Sequence, residues 1–190
     1  MERKELVYRQ LLLKPETTQL ELSQVLGISL STVNNAVKPL REMGAVQVGK
    51  RKLRVTDTEK LLLYWASVRN LSGEIMYRTR VELPVDEIER SMPPDILFTA
   101  FSGYRLRYGD VPADYSEVYV YVSSQELDSI KTRFPESKKV SNLYVLESDE
   151  HLQGLSRDGI APDCQLFVDL WNLPEWYARE FTKKLREMML

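Results

Sequence analysis

Thiol and imidazole chemistry is nearly absent from this chain of 190 residues, in which Cys164 is the one cysteine and His151 the one histidine. A lone cysteine excludes an internal disulfide, agrees with a reducing compartment, and together with one histidine falls short of a zinc site. No histidine or basic group adjoins Cys164 in sequence to activate its thiol, so it reads as structural. A Ser-His-Asp or Cys-His arrangement would have to pass through His151, which sits in the polar stretch ESDEHLQG and reads as a solvated loop residue. The eight glycines are scattered, so there is no glycine-rich phosphate loop. No apolar run reaches membrane-spanning length, and the opening MERKELVYRQLLLKPE is too charged for a secretory leader. The expected location is therefore cytoplasmic, with no membrane partner. Internal repeats and low-complexity segments are also missing.

What is present is a segregation of charge beneath a net charge of −2. Residues 1–70 hold twelve Lys and Arg against seven Asp and Glu, a balance of +5, whereas the remainder holds fourteen against twenty-one, −7. The basic part suits a polyanion, because Lys and Arg neutralising phosphates supply most sequence-independent affinity for DNA. The acidic part is expected to stay clear of it.

Within the basic part, Thr18–Met43 reads as two short helices joined by a tight turn. Thr18-x-x-Glu21 is a capping box, Leu20, Leu22, Val25 and Leu26 are expected on the buried side, and Gly27 ends the first helix. Ser29 caps the second, whose inward residues are Val33, Ala36, Val37, Leu40 and Met43. Pro39 inside that helix predicts a kink near Asn35 or Ala36. Ahead of the pair, Glu2–Leu13 forms an amphipathic helix that closes before Pro15. After it, Ala45–Val48 and Leu53–Val55 read as a hairpin whose tip is Gly49-Lys50-Arg51-Lys52. Thr56-x-x-Glu59 looks like a second capping box, opening a helix from Thr58 to about Arg69 with Tyr64 and Trp65 as packing anchors.

Three helices followed by a two-stranded wing resemble the winged helix-turn-helix family, whose second helix of the pair enters a major groove. The candidate DNA contacts are Ser29, Ser31, Thr32, Asn34, Asn35, Lys38 and Arg41 on that helix, and Lys50, Arg51, Lys52 and Arg54 on the wing. Asparagine amides suit adenine, Ser and Thr hydroxyls suit phosphates or base edges, and Lys or Arg suit phosphate or guanine. Which of them reach bases stays open. The bland alternative for the KRK cluster is a solvated turn.

Beyond residue 70 the expected elements are a loose strand over Glu74–Leu83, a helix over Asp86–Met92, and a further helix over ILFTAFSGYRLRY after Pro93-Pro94. A strand at Glu117–Val122 (EVYVYV), a helix Ser124–Phe134 and a strand Asn142–Glu147 follow. QLFVDL, Gln165–Leu170, reads as another strand, and Pro174 opens a terminal helix lined by Tyr177, Ala178, Phe181, Leu185 and Met188. The wing followed by VTDTEKLLLYWA, then VYVYV, then CQLFVDLWNLPEWYAREFTKKL, resembles the AbiEi-like transcriptional regulators of prokaryotes. That resemblance covers most of the chain. It implies a winged-helix domain preceding a nucleotidyltransferase-like domain, and in some members an antitoxin role in type IV toxin-antitoxin systems.

Nucleotidyl transfer needs a Gly-Ser turn and paired carboxylates on an adjoining strand to hold two Mg²⁺ ions. Here Ser102-Gly103 has the reverse order, EVYVYV carries Glu117 only at its start, and Asp169 stands alone in QLFVDL. No catalytic residue, metal ligand or cofactor is expected. The fold class expected is α+β, with residues 1–70 a winged helix-turn-helix domain including its bridging helix and 71–190 a non-catalytic nucleotidyltransferase-like α/β domain. The function expected is sequence-specific double-stranded DNA binding in transcriptional regulation, with antitoxin autoregulation as its finer form. The expected partners are duplex DNA, a cognate toxin or other protein, and a second copy paired through Glu2–Leu13 or Pro174–Met189. An active nucleotidyltransferase and a protein-interaction module without DNA binding are the competing readings.

Overall fold

The computed structural model describes residues 3–50 and 52–190. The chain divides into two compact units, one running to Arg69 and the other covering Asn70–Met189.

In the first unit, α1 (Arg3–Leu13) buries Val7, Tyr8 and Leu11, α2 (Gln19–Leu26) follows, and α3 (Leu30–Glu42) carries Val33, Ala36, Val37 and Leu40 into the same core. The expected start at Glu2 lies outside the described residues. β1 (Glu16–Thr17), β2 (Val46–Val48) and β3 (Leu53–Val55) form a three-stranded sheet in the order β1-β3-β2, so the wing has one more strand than the expected hairpin. The added strand pairs Glu16 with Arg54 and Thr17 with Leu53. At two residues it is too short to show a period of two in the sequence.

α4 (Thr58–Val68) closes this unit, but its cap is Asp57, whose carboxylate accepts the Lys60 amide at 2.9 Å. Thr56 instead donates its hydroxyl to the Gly44 carbonyl at 3.0 Å, tying the start of α4 to the end of α3. Trp65 is fully buried, as its place on the apolar stripe predicts, and its indole N–H donates to Glu5 Oε2 at 3.1 Å. The same oxygen receives the Arg69 guanidinium, and the two ionic side chains are 5% and 0% exposed. Arg9, also buried, lies 6.0 Å from the Trp65 ring centroid. Buried charge survives only when it is paired and hydrogen-bonded, and this cluster ties α1 to the end of α4.

Two expected core residues of α2 are on the surface, Leu20 at 59% exposure and Val25 at 61%. At 3.6 residues per turn Leu20 lies about 160° around the helix from buried Leu22, so one core cannot take both. Met43 is the C-cap of α3, beyond its inward stripe, and is exposed as well.

The second unit is a four-stranded mixed sheet in the order β4-β7-β6-β5, made of β4 (Ile75–Thr79), β5 (Leu97–Thr99), β6 (Val118–Val122) and β7 (Leu143–Glu147). β6 and β7 are parallel, joined through α7 (Leu127–Arg133), and the other pairings are antiparallel. Every residue of β6 is buried, which explains why VYVYV shows no polar face. Val118, Val120 and Val122 pack with Ile130 and with Ile88 of α5 (Val85–Arg90). Tyr119 and Tyr121 alternate to the other face, toward α6 (Ala100–Tyr108), α9 (Asp163–Trp171) and α10 (Ala178–Met189). α8 (Glu150–Leu155) carries His151, which is half-buried on a helix rather than in a solvated loop.

Three expectations are corrected here. QLFVDL is helical, lying in α9, with Cys164 to Leu170 all buried. A short helix buried all round has no one-sided period and cannot be told from a buried strand by pattern. ILFTAFSGYRLRY is a strand that runs straight into a helix, and the turn is made by Ala100 at φ 50° with no glycine or proline to mark it. The last helix begins at Ala178, four residues later than Pro174 suggests. Overall the chain is a mixed α+β protein with a winged helix-turn-helix at its N-terminal side. Among the described residues no helix is long and apolar enough to cross a membrane.

Candidate nucleic-acid interface

The turn between α2 and α3 is fixed from both sides. Thr18 Oγ1 accepts the Glu21 amide at 3.0 Å, and Lys14 and the Thr17 hydroxyl hold the Glu21 carboxyl below its ordinary pKa. Gly27 ends α2 at φ 60°, a left-handed conformation that costs glycine least, and Ser23 Oγ donates to the Ile28 carbonyl at 2.6 Å. Ser29 then caps α3, its Oγ accepting the Thr32 amide at 3.1 Å and sharing a hydrogen bond with Thr32 Oγ1 at 2.8 Å. These two hydroxyls are engaged in starting the helix, which leaves less of each for DNA.

Further along α3, Ser31, Asn34, Asn35, Lys38 and Arg41 are all exposed. Steps of three and four residues place them in one stripe opposite the buried Val33, Ala36, Val37 and Leu40. None of the five has a side-chain hydrogen bond or ion pair among the described residues. α3 is unbroken through Pro39, and the Met43 amide still reaches the Pro39 carbonyl at 3.0 Å. Proline has no N–H, so the Asn35 carbonyl is without its usual donor four residues on.

The wing brings the second group of candidates together. The Gly49 amide donates to the Lys52 carbonyl at 2.7 Å, closing the tip. Lys50, Lys52 and Arg54 are exposed; Arg51 lies outside the described residues. Sequence reasoning missed Glu16, which the pairing of β1 with β3 sets beside two of these cations. Arg54 Nε is 3.2 Å from Glu16 Oε1, and Lys52 Nζ is 4.0 Å from Glu16 Oε2. Lys50 is the described wing cation without a carboxylate. Phosphate oxygens approaching Arg54 must compete with an anion already in place.

The polar groups singled out in the second unit are arranged differently. Asp169 is fully buried on α9; Thr99 donates to its Oδ2 at 2.6 Å, Tyr121 to both oxygens at 2.9 and 3.1 Å, and Gln165 to Oδ1 at 3.0 Å. A carboxylate ringed by these donors is satisfied internally. Ser102 and Gly103 lie inside α6, where a Cβ on Gly103 would come within 2.6 Å of Leu166 Cδ2 and 2.9 Å of the Phe98 carbonyl oxygen. The glycine is there for close packing. Glu117 accepts the Tyr177 hydroxyl, and burial together with that carboxylate lifts the tyrosine to about 12. Burial also raises the Glu175 carboxyl, with Glu117 adding repulsion, and Glu175 Oε2 is buried without a hydrogen-bond partner. Among the described residues no three His, Cys, Asp or Glu side chains are grouped to hold a metal ion.

Comparison with known proteins agrees with the geometry of the first unit. A family model described as winged helix-turn-helix DNA-binding matches residues 2–47, from the start of α1 into β2. No curated protein and no solved structure matches the chain. The capped turn, the exposed stripe of α3, the wing and this match together show that the chain carries an N-terminal winged helix-turn-helix DNA-binding module.

Proposed function

We propose that the protein is a sequence-specific double-stranded DNA-binding transcriptional regulator that lays α3 in a major groove. The observation that carries this reading is the stripe Ser31, Asn34, Asn35, Lys38 and Arg41, exposed and without internal partners, on a module of a DNA-binding family. The wing positions through phosphates, and α3 reads bases. Selection of bound sequences from a random duplex pool, followed by anisotropy titration of the intact protein, tests it. Expected are an enriched motif and affinity that falls linearly in logarithmic salt; no duplex binding at low salt overturns it.

The finer form of the proposal follows the AbiEi-like resemblance: an antitoxin that controls its own operon, with a nucleotidyltransferase-like second domain that lacks catalysis. The satisfied carboxylate of Asp169 supports the non-catalytic part. Incubation with labelled nucleoside triphosphates and Mg²⁺ is expected to show no transfer; transfer abolished by Asp169→Asn would revive the enzyme reading. A neighbouring gene for a nucleotidyltransferase toxin, and its co-purification, would support the antitoxin role. Pairing of two copies is read from the sedimentation coefficient.

A further inference from the structure

β4 ends the sheet of the second unit. β7 pairs with one side of it, and among the described residues no main-chain hydrogen bond reaches the other side. The Thr79 carbonyl accepts the Asn142 amide at 3.1 Å, so alternation along the strand turns the Arg78 amide and carbonyl to the free side. The opposite edge of the sheet is covered: on β5 the Phe98 amide donates to the Gly159 carbonyl at 2.8 Å, and the Phe98 carbonyl accepts the Ala161 amide at 3.0 Å. An uncovered edge is a template for a further strand. A concave space of about 780 Å³ lies along β4, with both Tyr77 and Arg78 in its walls. Neighbouring strand residues point to opposite faces, so this space runs beside the main chain and not over one face of the sheet.

The two faces beside the edge differ in chemistry. On one, the Tyr77 hydroxyl donates to the Phe134 carbonyl at 2.6 Å, and Met76 packs against the same core. Lys131 Nζ stands 5.9 Å from the Tyr77 ring centroid. On the other face Arg78 lies opposite Tyr144, is exposed, and has no carboxylate partner among the described residues. Arg80, two residues on, is 3.6 Å from Glu82. The edge therefore offers aromatic and apolar surface on one side and an unneutralised arginine on the other. A bulge protects only its start: Ile75 opposes Leu146 and Tyr77 opposes Val145, which leaves Met76 as the extra residue, whereas Tyr77–Thr79 keep a regular register.

We infer that the free edge of β4 receives an extended acidic segment of a partner protein, added to the sheet as a fifth strand. Main-chain bonds at Arg78 supply affinity, and alternate side chains supply the choice of partner. In a segment that alternates acidic and apolar residues, the carboxylates fall beside Arg78 and the apolar side chains beside Tyr77 and Met76. A second copy of this chain is a poor occupant, because two-fold pairing about Arg78 sets the two arginines against each other. The inference is independent of DNA binding by the first unit.

The test is titration of the intact ¹⁵N-labelled protein with acetyl-Glu-Val-Glu-Val-Glu-Val-amide and with its counterpart in which lysine replaces glutamate. The acidic peptide is expected to give saturable shifts at the amides of Met76, Tyr77 and Arg78 at concentrations up to about 5 mM. Deuterium exchange at the Arg78 amide should slow about tenfold when about nine-tenths of the protein is bound. N-methylation of one alternate set of peptide amides should abolish binding, and methylation of the other set should spare it, because only every second residue bonds to the edge. Arg78→Gln should weaken the acidic peptide about fivefold, and Lys183→Gln on α10 should leave it unchanged. Absence of saturation, an unchanged exchange rate at Arg78, or an equal effect of the two methylations overturns strand addition. Equal binding of the lysine peptide, or an equal loss in Lys183→Gln, overturns the acidic requirement. Loss of the β4 amide signals with rising protein concentration and no peptide overturns the choice of partner in favour of a second copy.

Discussion

Glu16 offers the sharpest handle on the interface. Replacing it with glutamine keeps its shape and removes one negative charge beside Arg54 and Lys52, at 3.2 and 4.0 Å. These side chains are 67% and 80% exposed, so the lost pairs cost the fold at most about 1 kcal/mol. On DNA the sign reverses. A phosphate held by Arg54 would stand roughly 7 Å from the Glu16 carboxylate, a repulsion of about 0.6 kcal/mol in water. Freeing Arg54 from its present partner contributes about another 0.5 kcal/mol. Glu16→Gln should therefore bind any duplex about fivefold more tightly at low salt. The gain should shrink as salt rises, because the screening length falls from about 10 Å at 0.1 M to about 3 Å at 1 M. Fluorescence anisotropy over a salt series reads both effects. In a background of Lys52→Ala with Arg54→Ala the gain should largely vanish, since the coupled cations are gone. Unchanged or weaker binding at low salt, or a gain that persists at high salt, would refute the placement of the wing against phosphates.

Asn34→Ala and Asn35→Ala should each leave thermal stability nearly unchanged and alter the selected motif at one base pair, with about 1–3 kcal/mol of discrimination lost where a bidentate contact is removed. Glu5→Ala removes the buried carboxylate that receives both the Arg69 guanidinium and the Trp65 indole N–H, and should destabilise the first unit by about 3–5 kcal/mol, measured by urea unfolding followed by circular dichroism. Glu175→Gln should do the opposite. Its folded carboxyl is raised above the ordinary 4.5 by burial, so ionisation opposes folding and stability is lost as pH rises through the raised value. The variant should therefore unfold at a higher temperature than the natural protein near pH 7 and at the same temperature below about pH 4, where both side chains are neutral.

The parts of the fold written in local chemistry were legible. Thr18, Gly27 and Ser29 bound the helix pair by capping, which depends on neighbours within four residues. VYVYV is recognisable because a strand buried on both faces is β-branched and aromatic throughout. What sequence hid depended on distant partners. The mistaken strand at QLFVDL arose because a helix covered on all sides loses its period, and what reveals it is the Gln165–Asp169 bond one turn apart. Glu16 was missed because its role comes from a two-residue strand whose partner lies across the wing. Exposed asparagines on α3 were legible by spacing, whereas the neutralisation of Arg54 depends on a strand pairing between residues nearly forty positions apart.

The bond between Glu5 and Arg69 also decides where this protein can be cut. The first unit ends on the counter-ion of its own first helix, so its boundary is electrostatic before it is a matter of loop length. A fragment stopping at Val68 has every helix and strand of the module yet strips Glu5 of its ionic partner, whereas one retaining Arg69 keeps the cluster whole. For anyone transplanting the reader onto another protein, a single arginine separates a portable part from an unstable one.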